Sequence, residues 1–137
     1  MNIGLGAKRK TILLIDADAH ARAVLRKALE AASFSVGEAA CTREGERTLQ
    51  RIKPDAVLAD LLGGPSGGGQ TLSEWIHANY NEIPCYIVSN AGQALVGSVG
   101  LHELGVTGVF LKPVDTALMI QTLRTRLGVA PADYGHA

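Results

Sequence analysis

Apolar runs of only four or five residues alternate along this chain with segments whose apolar residues recur every three or four positions, and this alternation restricts the fold most strongly. A short continuous apolar run suits a strand covered on both faces, and strands that alternate with amphipathic helices form a parallel sheet joined by crossover helices. Thr11-Ile12-Leu13-Leu14-Ile15 is the first such run. Ala21, Val24, Leu25, Ala28 and Leu29 then make one apolar stripe, with Arg22, Arg26, Lys27 and Glu30 on a wet face, which predicts the first helix. Phe34 to Ala40 predicts a second strand, and Thr42 the N-cap of a helix reaching about Arg51, with Glu44 to Glu46 in its first turn.

Lys53-Pro54-Asp55 closes that unit, and Ala56-Val57-Leu58-Ala59 predicts a third strand that delivers Asp60 to its carboxyl end. A helix from about Gln70 to Asn79 follows, then a fourth strand, Cys85 to Val88, opened by Pro84 and stopped at Ser89. The next helical stretch contains Gly97 and Gly100; each interior glycine costs roughly 1 kcal/mol relative to alanine, so this fourth helix is expected to be the loosest element. Val106 to Leu111 predicts the fifth strand. Asp115 caps a final helix with Leu118, Met119, Thr122, Leu123 and Leu127 on its apolar side, and Gly128 stops it. The expected architecture is α/β: one doubly wound domain over residues 11–128, a five-stranded parallel sheet with helices on both faces, and flexible segments at 1–10 and 129–137.

A length of 137 residues with 47% hydrophobic side chains suits one domain with a full core. The 13 basic and 13 acidic side chains cancel, which disfavours direct binding to nucleic acid or to an anionic membrane surface. No apolar run approaches the roughly 18 residues of a membrane span, and the basic residues Lys8, Arg9 and Lys10 follow the first apolar residues instead of preceding them, so a soluble, cytoplasmic protein is expected. Cys41 and Cys85 have neither metal-ligand nor redox spacing, and His20, His77, His102 and His136 share no spacing either. The Gly63 to Gly69 stretch lacks the Gly-Lys-Ser/Thr ending of a phosphate cradle.

In an open parallel sheet, chemistry collects beyond the carboxyl ends of the strands, where Asp16, Asp60, Ser89 and Lys112 all lie. Asp60 has the chemistry of a carboxylate nucleophile for a phosphoryl group, Asp16 that of a magnesium ligand, Lys112 that of a counter-charge for phosphoryl oxygens, and Ser89 that of a hydrogen-bond donor. Ser89 and Asp16 can equally cap a following helix.

The segments Thr11 to Asp16, Pro54 to Leu62, Ile83 to Ser89 and Gly108 to Pro113 together resemble receiver domains of two-component response regulators, over roughly residues 10 to 128. The resemblance implies a flavodoxin-like strand order 2-1-3-4-5, with Asp60 as phosphoacceptor, Ser89 as switch hydroxyl, Lys112 as phosphate-contacting lysine and a cis Lys112-Pro113 peptide. It implies Mg2+ held by Asp16, Asp60 and the Leu62 backbone carbonyl, a histidine kinase or phosphotransfer protein as donor, and a downstream protein as partner. The implied role is that of a switch and not an enzyme; a stand-alone receiver is expected, and a kinase-borne or truncated receiver is equally compatible with the sequence.

Four positions depart from the family pattern. Ala17 stands where a second acidic residue usually binds magnesium directly, which leaves Asp18 able to reach the ion only through water and implies weak Mg2+ binding. Pro65 falls one residue late in a glycine-rich loop, Asn90 replaces a small residue after the switch hydroxyl, and Val109 replaces the usual aromatic, with Phe110 on the opposite face of the strand. These departures support an alternative, a phosphorylation-independent pseudo-receiver acting as a protein-binding module. A flavin- or nucleotide-binding protein of the same strand order is a third reading, opposed by the acidic loop after the first strand.

Overall fold

The computed structural model describes residues 9–60, 72–80, 82–89 and 106–130. Five strands, β1 (Thr11–Ile15), β2 (Ser35–Ala39), β3 (Ala56–Asp60), β4 (Cys85–Ser89) and β5 (Gly108–Leu111), form one sheet in the order β2-β1-β3-β4-β5. All four pairings are parallel, as the alternating pattern predicts. The described helices are α1 (Ala19–Ala31), α2 (Thr42–Ile52), α3 (Leu72–Asn79) and α4 (Thr116–Leu127). The glycine-containing stretch around Gly97 and Gly100 lies outside the described residues, as do most of both terminal segments.

Strand side chains alternate between two apolar layers. On one face Ile12, Leu14, Leu58, Tyr86, Val88 and Phe110 pack against Leu25 and Leu29 of α1 and Met119 and Leu123 of α4. On the other, Leu13, Ile15, Val57, Ala59 and Cys85 pack with Leu49 of α2 and Ile76 of α3. Trp75 and Tyr80 pack against this second layer, their ring centroids 5.9 Å apart. With both faces covered, the interiors of the central strands β1 and β3 are wholly apolar, and their polar groups are left to the strand ends.

Local signals at the last helix hold as expected. The Asp115 carboxylate accepts from the Leu118 N–H at 3.1 Å, and Gly128 ends α4 in the left-handed conformation that glycine adopts without strain. Three details differ from expectation. Thr42 is the first residue of α2 and not its cap; Cys41 stands before the helix without a side-chain cap bond, and the Glu44 carboxylate reaches back to accept from Ala40 N–H at 2.8 Å. A reach-back acid in the first turn thus replaces a hydroxyl cap.

β5 begins at Gly108 and not at Val106; just before it, Thr107 N–H donates to the Cys85 carbonyl at 2.8 Å and the Thr107 hydroxyl accepts from Cys85 N–H at 3.1 Å. Leu118 and Val24, assigned to apolar stripes, are 52% and 48% exposed. Both lie at the margin of their stripe, beyond the width that the sheet covers.

Truncating a sealed core side chain costs its transfer energy plus the cavity it leaves. Met119→Ala and Leu29→Ala are therefore each expected to lower unfolding free energy by about 2–5 kcal/mol, whereas Leu118→Ala on the exposed margin should stay within about 0.5 kcal/mol. Urea unfolding of the three variants checks this ordering.

Candidate functional site

β1 and β3 run side by side with Ile15 opposite Ala59, so the residues that follow, Asp16 and Asp60, emerge together at the carboxyl edge. Asp16 is only 5% exposed and tightly held. Its N–H donates to the Ala39 carbonyl at 3.0 Å, and its Oδ1 accepts from Asp18 N–H at 2.8 Å. Asp60 keeps a more open carboxylate, its side chain more than a third exposed.

β5 brings in the cation. The Lys112 N–H donates to the Ser89 carbonyl at 3.1 Å, continuing the β4–β5 pairing one step, and the Lys112-Pro113 peptide is cis, as expected. The Lys112 amine then lies 3.4 Å from Asp60 Oδ2 and 3.6 Å from Asp16 Oδ2. Burial alone would depress its pKa, but the combined attraction of the Asp16 and Asp60 carboxylates outweighs burial, and the amine stays protonated above its ordinary value. One ammonium thus joins three strands.

Ser89 is buried at the carboxyl end of β4, one residue beyond Val88, which is the partner of Asp60. Leu62 and Asn90 lie outside the described residues. Ala17 is exposed. Asp18 is engaged elsewhere: its Oδ1 caps α1 by accepting from His20 N–H at 2.9 Å and Ala21 N–H at 3.2 Å, and these two bonds, Ala21 first, hold its carboxyl below the usual aspartate value. Among the described residues no cluster of three His, Cys, Asp or Glu side chains surrounds a metal position.

Magnesium keeps several waters and is commonly held by one or two carboxylates plus phosphate oxygens. Asp16 and Asp60, with Oδ2 atoms turned toward one common point, fit that requirement with two carboxylates and not three.

Phe110 lies in the apolar layer under α1 and α4, stacked on Tyr86 with centroids 5.3 Å apart. Strand alternation therefore separates it from Val109 as expected. Arg22 was missed. Its place in the sequence assigns it to the wet face of α1, yet its side chain is only 17% exposed, and its guanidinium donates to the Asp16 carbonyl and pairs with Glu38 of β2 at 2.9 Å. No local pattern signals this, because the acceptor carbonyl belongs to a strand end and the carboxylate to a different strand.

Residues 12–124 match the family model described as the response regulator receiver domain. The chain belongs to this family. Receiver domains are signalling modules that interact with histidine kinases or phosphotransfer proteins and bind Mg2+ at an acidic pocket. The regulatory protein VirG of Agrobacterium fabrum is 28% identical over 127 residues, which cover 93% of this chain and 49% of VirG. The chain therefore spans about half the length of that curated relative.

Solved structures share the receiver fold at lower identity. The signal receiver domain of an HD domain-containing protein from Pseudomonas fluorescens is 20% identical with a TM-score of 0.77, covering 93% of both chains. A CheY-like receiver domain protein from Methanospirillum hungatei is 20% identical with a TM-score of 0.74, covering 88% of this chain and 95% of its own. A two-component response regulator from Clostridium difficile gives 20% identity and a TM-score of 0.74 over 88% and 97% of the two chains. None of the described helices is long and apolar enough to cross a membrane.

A raised lysine pKa contributes stability that is fully present below the unfolded-state value, about 10.4, and lost as pH rises through the folded value. The buried Tyr86 phenol is also raised, by desolvation, and loses stability in the same direction above about 10. Denaturation midpoints followed from pH 8 to 11 should fall at the alkaline end, with Lys112→Met removing the lysine part of that fall and Tyr86→Phe the phenol part.

Proposed function

We propose that this receiver domain accepts a phosphoryl group on Asp60 and answers by altering a protein-binding surface. The observation that carries the reading is the Lys112 amine within 3.6 Å of two carboxylates on separate strands, one of them partly open to solvent. An Asp60 carboxylate oxygen attacks the phosphorus of a phosphohistidine on a kinase or phosphotransfer protein. The phosphorus–nitrogen bond breaks, and the departing imidazole nitrogen takes up a proton from solvent.

In this reading Lys112 leaves its two carboxylates and follows the negative charge onto the phosphoryl oxygens, where a preformed cation is most effective. The Ser89 hydroxyl donates to the phosphoryl group, and its displacement is what turns the charge change into an altered protein-binding surface. Mg2+, bound by Asp16, Asp60 and the Leu62 carbonyl, would add further neutralisation of the phosphoryl charge. Asp18 is already occupied as a helix cap, so this ion lacks a third carboxylate and its binding should be weak. Output then passes through altered protein contacts rather than through nucleic acid.

A different observation favours a second reading. Ala17 in place of an acid, together with an Asp18 already engaged, also suits a pseudo-receiver that binds its partner without phosphorylation.

Incubation with acetyl phosphate and Mg2+, followed by intact-mass measurement, separates the two. The parent chain is expected to gain one phosphoryl group, and Asp60→Asn none. Ala17→Asp should tighten Mg2+ about tenfold or more, the equivalent of roughly 1.4 kcal/mol. Gain seen only with Ala17→Asp would replace the switch by the pseudo-receiver.

A further inference from the structure

All four polar groups of the Asp16 residue have partners at the end of β1. Its N–H makes the last bond toward β2, donating to Ala39 at 3.0 Å. Oδ1 takes the Asp18 N–H at 2.8 Å, and Oδ2 lies 3.6 Å from the Lys112 amine. The carbonyl accepts from the Arg22 guanidinium.

That guanidinium is itself fixed from a second side. Its Nε donates to Glu38 Oε1 at 2.9 Å, and the other oxygen of Glu38 receives Arg26 Nε at 3.2 Å. A planar cation held by two acceptors on different strands has little freedom to turn. Asp16 is nearly sealed from solvent, so water is poorly placed to stand in for Arg22 at its carbonyl. If that carbonyl were released, the peptide joining Asp16 to Ala17 would be free to rotate, and the Asp18 N–H that orients the Asp16 carboxylate would move with it.

We propose that Arg22 is a positioning residue for the acidic site, a strut from Glu38 on β2 to the Asp16 peptide that aims the Asp16 carboxylate at the amine it shares with Asp60. The link accounts for an arginine that is half-buried on the nominally wet face of α1. It also gives the site a mechanical tie to the edge strand β2 that runs neither through a metal ion nor through the missing acid at Ala17. Its consequence for rate rests on Asp60 being a phosphoacceptor; its consequence for the geometry of Asp16 does not.

Arg22→Met, Arg22→Lys and Glu38→Gln in the full chain test the strut with two separate readouts. In the first, the Asp18 amide resonance and its hydrogen exchange report directly on the Asp16 carboxylate, with Asp16→Ala as the reference for a lost acceptor. Arg22→Met should move the resonance toward that reference and speed exchange roughly tenfold, the scale of one charge-assisted hydrogen bond, while Arg22→Lys recovers only part and Glu38→Gln shows a smaller change. In the second, phosphoryl uptake from saturating acetyl phosphate should fall about tenfold in Arg22→Met, with the half-saturating concentration unchanged.

An unmoved Asp18 amide in Arg22→Met overturns the proposal. So does acceleration of the Leu29 and Leu123 amides by the same factor, which would make Arg22 a general support of the fold. A moved amide with an unchanged saturated rate likewise overturns its positioning role. If the parent chain takes up no phosphoryl group at all, the phosphoacceptor reading fails and the Asp18 amide alone decides the role of Arg22.

Discussion

The bridging of Asp16 and Asp60 by the Lys112 ammonium is the interaction on which the rest of the site depends. The two carboxylates stand at the ends of adjacent parallel strands, where their mutual repulsion would be severe in a partly buried setting without a cation between them. The lysine arrives from β5, two strands removed from β3, so the charge balance closes only when the sheet is complete. Its protonation is reinforced by the same carboxylates that it neutralises, which makes the site self-consistent without a bound ion.

That geometry follows from the way the sheet excludes polar groups. The interior positions of the central strands β1 and β3 are claimed by two apolar layers, so their carboxylates are tolerated only where those strands run out. Parallel strands all run out at the same edge. The concentration of chemistry at one end is therefore a consequence of burial on both faces, and a site of this kind needs no special loop to assemble it.

Ala17, exposed between Asp16 and Asp18, adds no charge to this edge. The Asp18 carboxylate is turned away from the site, held by two N–H groups of the first turn of α1, an arrangement that stabilises the helix start. Arg22, in contrast, reaches from the helix interior back to the strand end and joins it to β2 through Glu38. The turn after β1 is thus built from backbone and side-chain bonds around Asp16, and two carboxylates, those of Asp16 and Asp60, meet the Lys112 amine there.

Local physics makes much of this legible in the chain alone. Continuous apolar runs such as Thr11 to Ile15, three- and four-residue periodicity in α1, the Asp115 cap and the Gly128 stop depend on neighbours a few residues away, and for that reason the strand–helix alternation, the parallel sheet and the strand-end placement of Asp16, Asp60, Ser89 and Lys112 can be read from it. What the sequence could not decide depends on groups far apart along the chain. The width of the apolar stripe that the sheet covers left Val24 and Leu118 exposed; the Thr107 hydroxyl met Cys85 N–H on the neighbouring strand; and the meeting of Arg22 with the Asp16 carbonyl and Glu38 turned an apparently solvated residue into a partner of the strand end. Periodicity assigns a side chain to a face of its own helix, but only the packed neighbours determine which donors and acceptors that face will meet.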